Sequence, residues 1–319
     1  MNQISQSLTT KATVASSAQL QMTSVAKINL FLHIVAKRHD GYHDLQTVFR
    51  LLDWGDTLNF CTSSQHFEPI QLLQTSTLPI DLHCAQQLTE KPQDNLIIKA
   101  AIKLLQWLHQ HNRLPDSLPF ITTHLKKNLP TGAGLGGGSS NAATTLIALN
   151  QLWQLNINRQ NLLNIGAQIG ADVPIFIFGQ DAIAEGIGEQ LSCINLPKQH
   201  YLLLCPKAHI STAKLFSHHD LCRDMPPLSL TDIQKNSDNY LFDLQPPYCN
   251  VFEPVVTQLA PSVKQALDFL RTLEHISNST ARMTGSGSCV YLPFREPHLE
   301  QIQTVLTNAP CLAKIVSSK

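Results

Sequence analysis

From Ser24 the chain alternates with a period of two through Val25-Ala26-Lys27-Ile28-Asn29-Leu30-Phe31-Leu32-His33-Ile34-Val35. This predicts a half-buried strand with Ile28, Leu30, Leu32 and Ile34 on one face and Lys27, Asn29, Phe31 and His33 on the other. The turn pair Asp40-Gly41 and a second strand-like run, Tyr42 to Leu52, make the opening a hairpin or meander. Helical spacing follows from Leu96 to Leu105 behind Asp94-Asn95, then a strand from Phe120 to Leu125, then a helix carrying Ala142, Leu146, Leu149 and Trp153. Leu162 to Ile169 reads as a helix ended by Gly170, and the apolar run Ile175 to Phe178 as a strand closed by Gly179. In the second half, Tyr201 to Cys205, Cys289 to Leu292 and Leu312 to Val316 read as strands, and Phe252 to Leu259, Ser262 to Leu273 and Leu299 to Leu306 as helices. Arg223 to Asn250, rich in Pro, Asp and Asn, reads as a surface excursion. Strands first with helices interleaved later predict an α+β architecture rather than a doubly wound sheet.

Between the strand at Phe120 and the helix at Ala142 runs Leu129-Pro130-Thr131-Gly132-Ala133-Gly134-Leu135-Gly136-Gly137-Gly138-Ser139-Ser140-Asn141. A glycine-rich run opening directly into a helix is suited to an anion: no side chain shields the peptide N–H groups, and the first helical turn leaves more of them free. Ser139 or Ser140 is the expected cap of that helix. A P-loop would need lysine after its last glycine, where Ser139 stands. Gly132, Gly134 and Gly137 satisfy the dinucleotide spacing, which keeps an NAD-dependent dehydrogenase as the alternative from motif reading. Pro130 interrupts the approach, however, and no acid lies between Asp116 and Asp172. A flexible linker would carry polar flanks rather than an Ala/Leu-rich helix.

At 319 residues the chain suits two domains sharing a cleft. A formal net charge of zero gives no reason to expect nucleic acid or a membrane surface as partner, and no apolar run has bilayer-spanning length. The eight cysteines form no CxxC pair and read as reduced, cytoplasmic thiols. Fourteen histidines show no HExxH, and His218-His219 are adjacent rather than a helical turn apart, so no protein-held metal is expected. Residues 1–21, polar and carrying a single charge at Lys11, are expected to be a disordered tail, and they lack the arginines of a transit peptide. Local pattern alone makes Lys27 and Asn29 part of a solvated sheet face, and leaves Asp172 equally readable as a turn or capping residue.

The Pro130 to Ser140 run resembles the central motif of the kinase superfamily named for galactokinase, homoserine kinase, mevalonate kinase and phosphomevalonate kinase (GHMP). Ala26-Lys27-Ile28-Asn29-Leu30 is similar to its first motif, and Met283-Thr284-Gly285-Ser286-Gly287-Ser288-Cys289-Val290 to its third. Within it, Asp40-Gly41-Tyr42-His43-Asp44-Leu45-Gln46-Thr47-Val48-Phe49 and Gly170-Ala171-Asp172-Val173-Pro174 resemble the 4-diphosphocytidyl-2-C-methyl-D-erythritol kinases, whereas sister kinases for homoserine or mevalonate would not be expected to carry Asp-Gly-Tyr-His. The resemblance covers the chain from about Ser24 to its end.

It implies a two-domain fold with the active site in the cleft, residues 22–195 forming the ATP-binding domain and 196–319 the C-terminal one. It also implies transfer of the ATP γ-phosphoryl group, with Mg2+ accompanying ATP, to the 2-hydroxyl of CDP-methylerythritol. Asp172 would then be the general base, with Val173-Pro174 holding the chain extended beside it, and Lys27 would sit near both the base and the hydroxyl. The loop from Pro130 through Ser140, with Asn95 and Lys127, would contact ATP. Asn29, Tyr42, His43 and, as second aromatic of the cytidine site, Phe216 would contact the substrate; the stretch after Pro206 departs from the glycine-containing pattern expected there. A non-catalytic relative would have lost the base or the lysine, and both are present. Monomer and homodimer stay open.

Overall fold

The computed structural model describes residues 19–75, 77–208 and 210–319. Most of the expected tail lies outside these, but Gln19 to Gln21 already belong to the first strand, where the Gln21 amide donates to Asn59 Oδ1. Among the described residues, ten strands form two sheets: β1 Gln19–Lys37, β2 His43–Phe67, β3 Ile80–Cys84, β4 Leu118–Lys126, β5 Ala182–Glu185 and β6 Gln190–Cys193 in the first, and β7 His200–Cys205, β8 Arg282–Met283, β9 Val290–Phe294 and β10 Leu312–Ser317 in the second. The helices are α1 Pro69–Leu73, α2 Leu96–Gln110, α3 Gly137–Leu152, α4 Arg159–Ala167 and α5 Val173–Phe178, followed by α6 Thr212–Phe216, α7 Leu230–Lys235, α8 Asp238–Leu241, α9 Glu253–Leu259, α10 Pro261–Arg271, α11 Glu274–Ser277 and α12 Leu299–Val305. The α+β expectation holds: order β3-β4-β2-β5-β6 with β1 on β2, and β10-β7-β9-β8, antiparallel except β3 on β4.

Among the described residues, three apolar clusters hold the elements together. One packs α2 through α5 on the first sheet, and another packs α9, α10 and α12 on the second. The third joins the two units, with Ala26, Ile28, Leu30 and Phe31 of β1 lying among Tyr201, Leu203 and Tyr291 of the second sheet. Each buried Ile, Leu or Phe side chain of that size contributes about 1.5–3 kcal/mol, so this shared cluster fixes β1 in the seam between sheets.

Several expectations need correction. Strand β1 does not keep one alternation: Asn29 pairs with Phe49 and Leu32 with Thr47, three positions along β1 against two along β2. This bulge puts Leu32, not Phe31, on the face of Lys27 and Asn29. Phe31 packs instead in edge contact with Tyr240 and Tyr248, and both faces are buried rather than solvated. Residues 175–178 are helix, not strand. Pro174 stands in the first turn, where its missing N–H is not needed, and Gly179 at φ 68° stops the helix. Asp172 consequently has helical torsions (φ −86°, ψ −3°), and Val173-Pro174 does not extend the chain beside it. Neither Ser139 nor Ser140 caps α3, because left-handed Gly136 already starts that helix. The 223–250 segment is no simple surface excursion: it forms α7 and α8 and buries Ile233, Tyr240, Leu241 and Tyr248 in the joining cluster.

Candidate active site

Lys27 leaves β1 at a bulge, its backbone N–H donating to the Leu135 carbonyl of the glycine loop. Its ammonium is almost wholly buried, donates to Asn29 Oδ1 at 2.8 Å, stands 3.3 Å from Asp172 Oδ2, and lies over the Phe49 ring. Asp172, at the start of α5, is 36% exposed, and this difference matters: the lysine is fixed inside while the carboxylate opens to solvent. Asn29 is held in turn by Thr47, to which its Nδ2 donates at 2.9 Å, and by Thr284, whose hydroxyl accepts its backbone N–H at 2.9 Å.

The glycine loop forms one wall of a cavity of about 540 Å³. Gly132, Gly134 and Gly136 all have positive φ. At Gly134 a Cβ would stand 2.6 Å from the Thr284 carbonyl oxygen and 2.9 Å from that of Gly287, so the central and third motifs touch backbone to backbone. Ala133 and Leu135 turn their side chains into the joining cluster and offer only backbone. Pro130, Thr131, Gly137, Gly138 and Ser139 line the cavity at the start of α3, where free N–H groups and the positive helix end favour an anion. Ser140 does not line it; its hydroxyl is buried and accepts from Ser24 Oγ at 2.8 Å. Asn95 lines the cavity while its side chain caps α2 through the Ile97 N–H.

Lys127 also lines this cavity, held at 2.5 Å by Asp56. Asp56 is fully buried and accepts the backbone N–H groups of Asn128 and Leu129, so it shapes the entry to the loop. Sequence reasoning missed Asp56, whose partners lie some seventy residues away, and Asn141, which lines the cavity with its Oδ1 buried and unpartnered. Capping-like polar residues just after a glycine run could have flagged Asn141.

A second cavity of about 710 Å³ lies on the other side of Asp172. Lys27, Asn29, Tyr42, His43 and Phe216 all line it, so the expected substrate residues gather in one place. Tyr42, in the β1–β2 turn, is 60% exposed with its face free. His43 is buried and stacks on Phe216, ring centroids 4.7 Å apart and 22° from parallel. Its pKa is lowered by burial, then by the positive charges of Arg223 and Lys37, which keeps the imidazole neutral at neutral pH, and its Nε2 has no protein partner. Gly134, Ser139, Asp172, Thr212 and Ser286 line both cavities, so the two spaces meet at the carboxylate. Among the described residues, His218, His219 and Asp220 bring ligand atoms within 4.8 Å of one another on the surface, lining neither cavity. No helix of the described residues is long and apolar enough to cross a membrane.

An anion cradle and a larger, partly aromatic cavity meeting at a Lys–Asp pair form an arrangement able to bring a phosphate donor and an alcohol together. Comparison with known proteins agrees. Residues 95–180 match the GHMP kinases N terminal domain and residues 232–311 the GHMP kinases C terminal domain. A crystal structure of 4-(cytidine 5'-diphospho)-2C-methyl-D-erythritol kinase superposes with a TM-score of 0.70 at 25% identity, covering 94% of this chain and all of that one. A homoserine kinase from Cytophaga hutchinsonii, at 14% identity and TM-score 0.63 over 98% of this chain and 97% of its own, shares the fold. The 4-diphosphocytidyl-2-C-methyl-D-erythritol kinase of Acinetobacter baumannii is 40% identical over 94% of this chain and 95% of its own. That of Psychrobacter arcticus is 53% identical over 92% of this chain and 95% of its own, and on that identity the chain belongs to the 4-diphosphocytidyl-2-C-methyl-D-erythritol kinase family.

Proposed function

We propose that this chain transfers the γ-phosphoryl group of ATP to the 2-hydroxyl of 4-diphosphocytidyl-2-C-methyl-D-erythritol, as a cytoplasmic enzyme of the non-mevalonate route to isoprenoid precursors. The observation that carries this reading is the meeting of the two cavities at Asp172, beside Lys27. Residues 22–195 would form the ATP-binding domain and residues 196–319 the C-terminal domain. ATP occupies the smaller cavity, its phosphates on the loop from Gly132 to Ser139 and the start of α3, with Asn95 and Lys127 beside it. The carboxylates lining that cavity are Asp94 and Asp172, a set suited to Mg2+ carried on the nucleotide phosphates rather than caged by protein. Magnesium would neutralise phosphate charge there.

The cytidyl substrate occupies the larger cavity. Tyr42 offers a face for the pyrimidine, Phe216 a second aromatic surface, and the neutral imidazole of His43 a ring nitrogen for the base edge. In this reading the 2-hydroxyl lies against Asp172, which takes its proton as the oxygen attacks the γ-phosphorus and the bond from that phosphorus to the bridging oxygen breaks, releasing ADP. Lys27, whose charge is in place before the reaction, offsets the negative charge on the moving group.

The test is ADP formation by the purified protein with ATP and each of four acceptors: the cytidyl compound, homoserine, mevalonate and galactose. Turnover confined to the first is expected. Preference for any other would overturn the substrate assignment.

A further inference from the structure

At the bulge in β1, between Asn29 and Leu32, three successive carbonyls each accept a hydrogen bond from a side chain. The Asn29 carbonyl accepts from the Tyr291 hydroxyl at 2.8 Å, the Leu30 carbonyl from Arg282 Nη1 at 3.3 Å, and the Phe31 carbonyl from the Thr47 hydroxyl. A threonine hydroxyl has one proton, and Thr47 has committed it to Phe31. Toward Asn29 it can therefore only accept, so the Asn29 amide must present its NH2 to Thr47, at 2.9 Å, and its oxygen to Lys27, at 2.8 Å. The reverse orientation would set an NH2 group against an ammonium and an oxygen against an oxygen with no proton to share. Thr284 reinforces the choice from the second unit, since its hydroxyl accepts the Asn29 backbone N–H and lies 3.4 Å from Asn29 Oδ1.

We infer that Thr47 is a positioning residue for phosphoryl transfer: through the bulge carbonyl it fixes the Asn29 amide, and through that amide it aims the Lys27 ammonium at Asp172 and the reacting groups. One Lys27 proton is held by Asn29, leaving the others for Asp172 and the cavity. Thr47, Asn29 and Thr284 are all buried, Thr47 and Asn29 at the wall of the larger cavity, and a buried amide that loses its partner bears the cost of an unmade hydrogen bond. This inference rests on the proposed kinase reading for its assay but not for its geometry.

The experiment compares Thr47→Val, which keeps the shape and removes the hydroxyl, with Thr47→Ser, which keeps the hydroxyl. For Thr47→Val, kcat should fall about 10- to 100-fold, as for other buried partners that orient a reacting group, with KM for ATP and acceptor changed less than about twofold. Thr47→Ser should recover most of the loss. An unchanged kcat in folded Thr47→Val, or a Thr47→Ser enzyme equally impaired, would overturn the inference, the latter by showing that the methyl group matters instead. Should Thr47→Val not fold, Thr47→Cys, of similar size but a weak acceptor, carries the same test. If the wild-type chain proves to phosphorylate a different alcohol, the functional reading falls, and the Val-to-wild-type ratio on that alcohol still decides the role of Thr47. A crystal structure of the valine variant gives a readout free of activity: Lys27 Nζ still 2.8 Å from Asn29 Oδ1 and 3.3 Å from Asp172 contradicts the inference.

Discussion

The Lys27 ammonium is 3% exposed and the Asp172 carboxylate 3.3 Å away is 36% exposed, so this pair has one member fixed in the protein and the other open to both cavities. A buried cation costs several kcal/mol in lost hydration, which a single half-exposed carboxylate repays only in part. Asn29 Oδ1 and the Phe49 ring face supply further compensation. A charge held this way needs no reorganisation when negative charge moves past it. Lys27→Ala is expected to lower kcat by about 10²- to 10³-fold with a much smaller change in KM for either substrate. Steady-state kinetics check this, and a variant with wild-type kcat and a raised KM would mean that Lys27 binds ground states only.

Contact between the two glycine motifs supports a second expectation. Gly134→Ala would place a methyl group 2.6 Å from the Thr284 carbonyl oxygen, at φ 77°, and neither backbone can yield cheaply. Destabilisation of about 1–3 kcal/mol is expected, together with a loss of activity as the loop is pushed from the third motif. Gly138→Ala meets only a Leu96 methyl at 3.4 Å and serves as the stability control. Thermal melts that rank the two variants equally would contradict the account.

Tyr42 has its face free and contributes little to the core, so its removal separates binding from folding. Tyr42→Ala should raise KM for the cytidyl substrate about tenfold or more, the scale of one lost base–aromatic stack, while the melting temperature holds. An unchanged KM would return Tyr42 to the role of a hairpin residue.

His33 gives a pH signature unrelated to catalysis. It is fully buried, and desolvation pushes its pKa down to about 4 from an ordinary 6.5, against a smaller upward pull from the Pro247 backbone. Below pH 6.5 the unfolded chain therefore binds a proton that the folded chain refuses, and stability falls as pH drops from 6.5 toward 4. Between pH 7 and pH 5 this loss amounts to about 2 kcal/mol. Urea unfolding of wild type and His33→Leu at the two pH values should show a shallower loss in the variant. Parallel losses would mean that His33 is not the group responsible.

Much of the site was legible because its residues stand in short strings: the glycine run, Lys27 with Asn29, and Tyr42-His43 after Asp40-Gly41. What the strings could not show is how the chain comes back on itself. Asp56 meets Lys127 across 71 positions, and Thr284 meets Asn29 across 255. The β1 bulge was hidden because period-two counting assumes an unbroken ladder, so Phe31 and His33 were placed with Lys27 when Leu32 belongs there. Ile175-Phe176-Ile177-Phe178 looked like a strand from its branched and aromatic residues, yet Pro174 before it and Gly179 after it were start and stop signals for a short helix. Gly136 in the left-handed conformation started α3 earlier than a serine cap would have, and that torsion is invisible in the sequence.

The most direct measurement is the kinetics of Asp172→Asn with the cytidyl substrate. The substitution keeps the size of the side chain and removes its basicity where the two cavities meet. The account predicts kcat reduced about 10²- to 10⁴-fold, the range for a general base, with ATP affinity nearly unchanged in a folded protein. Near wild-type turnover would contradict it.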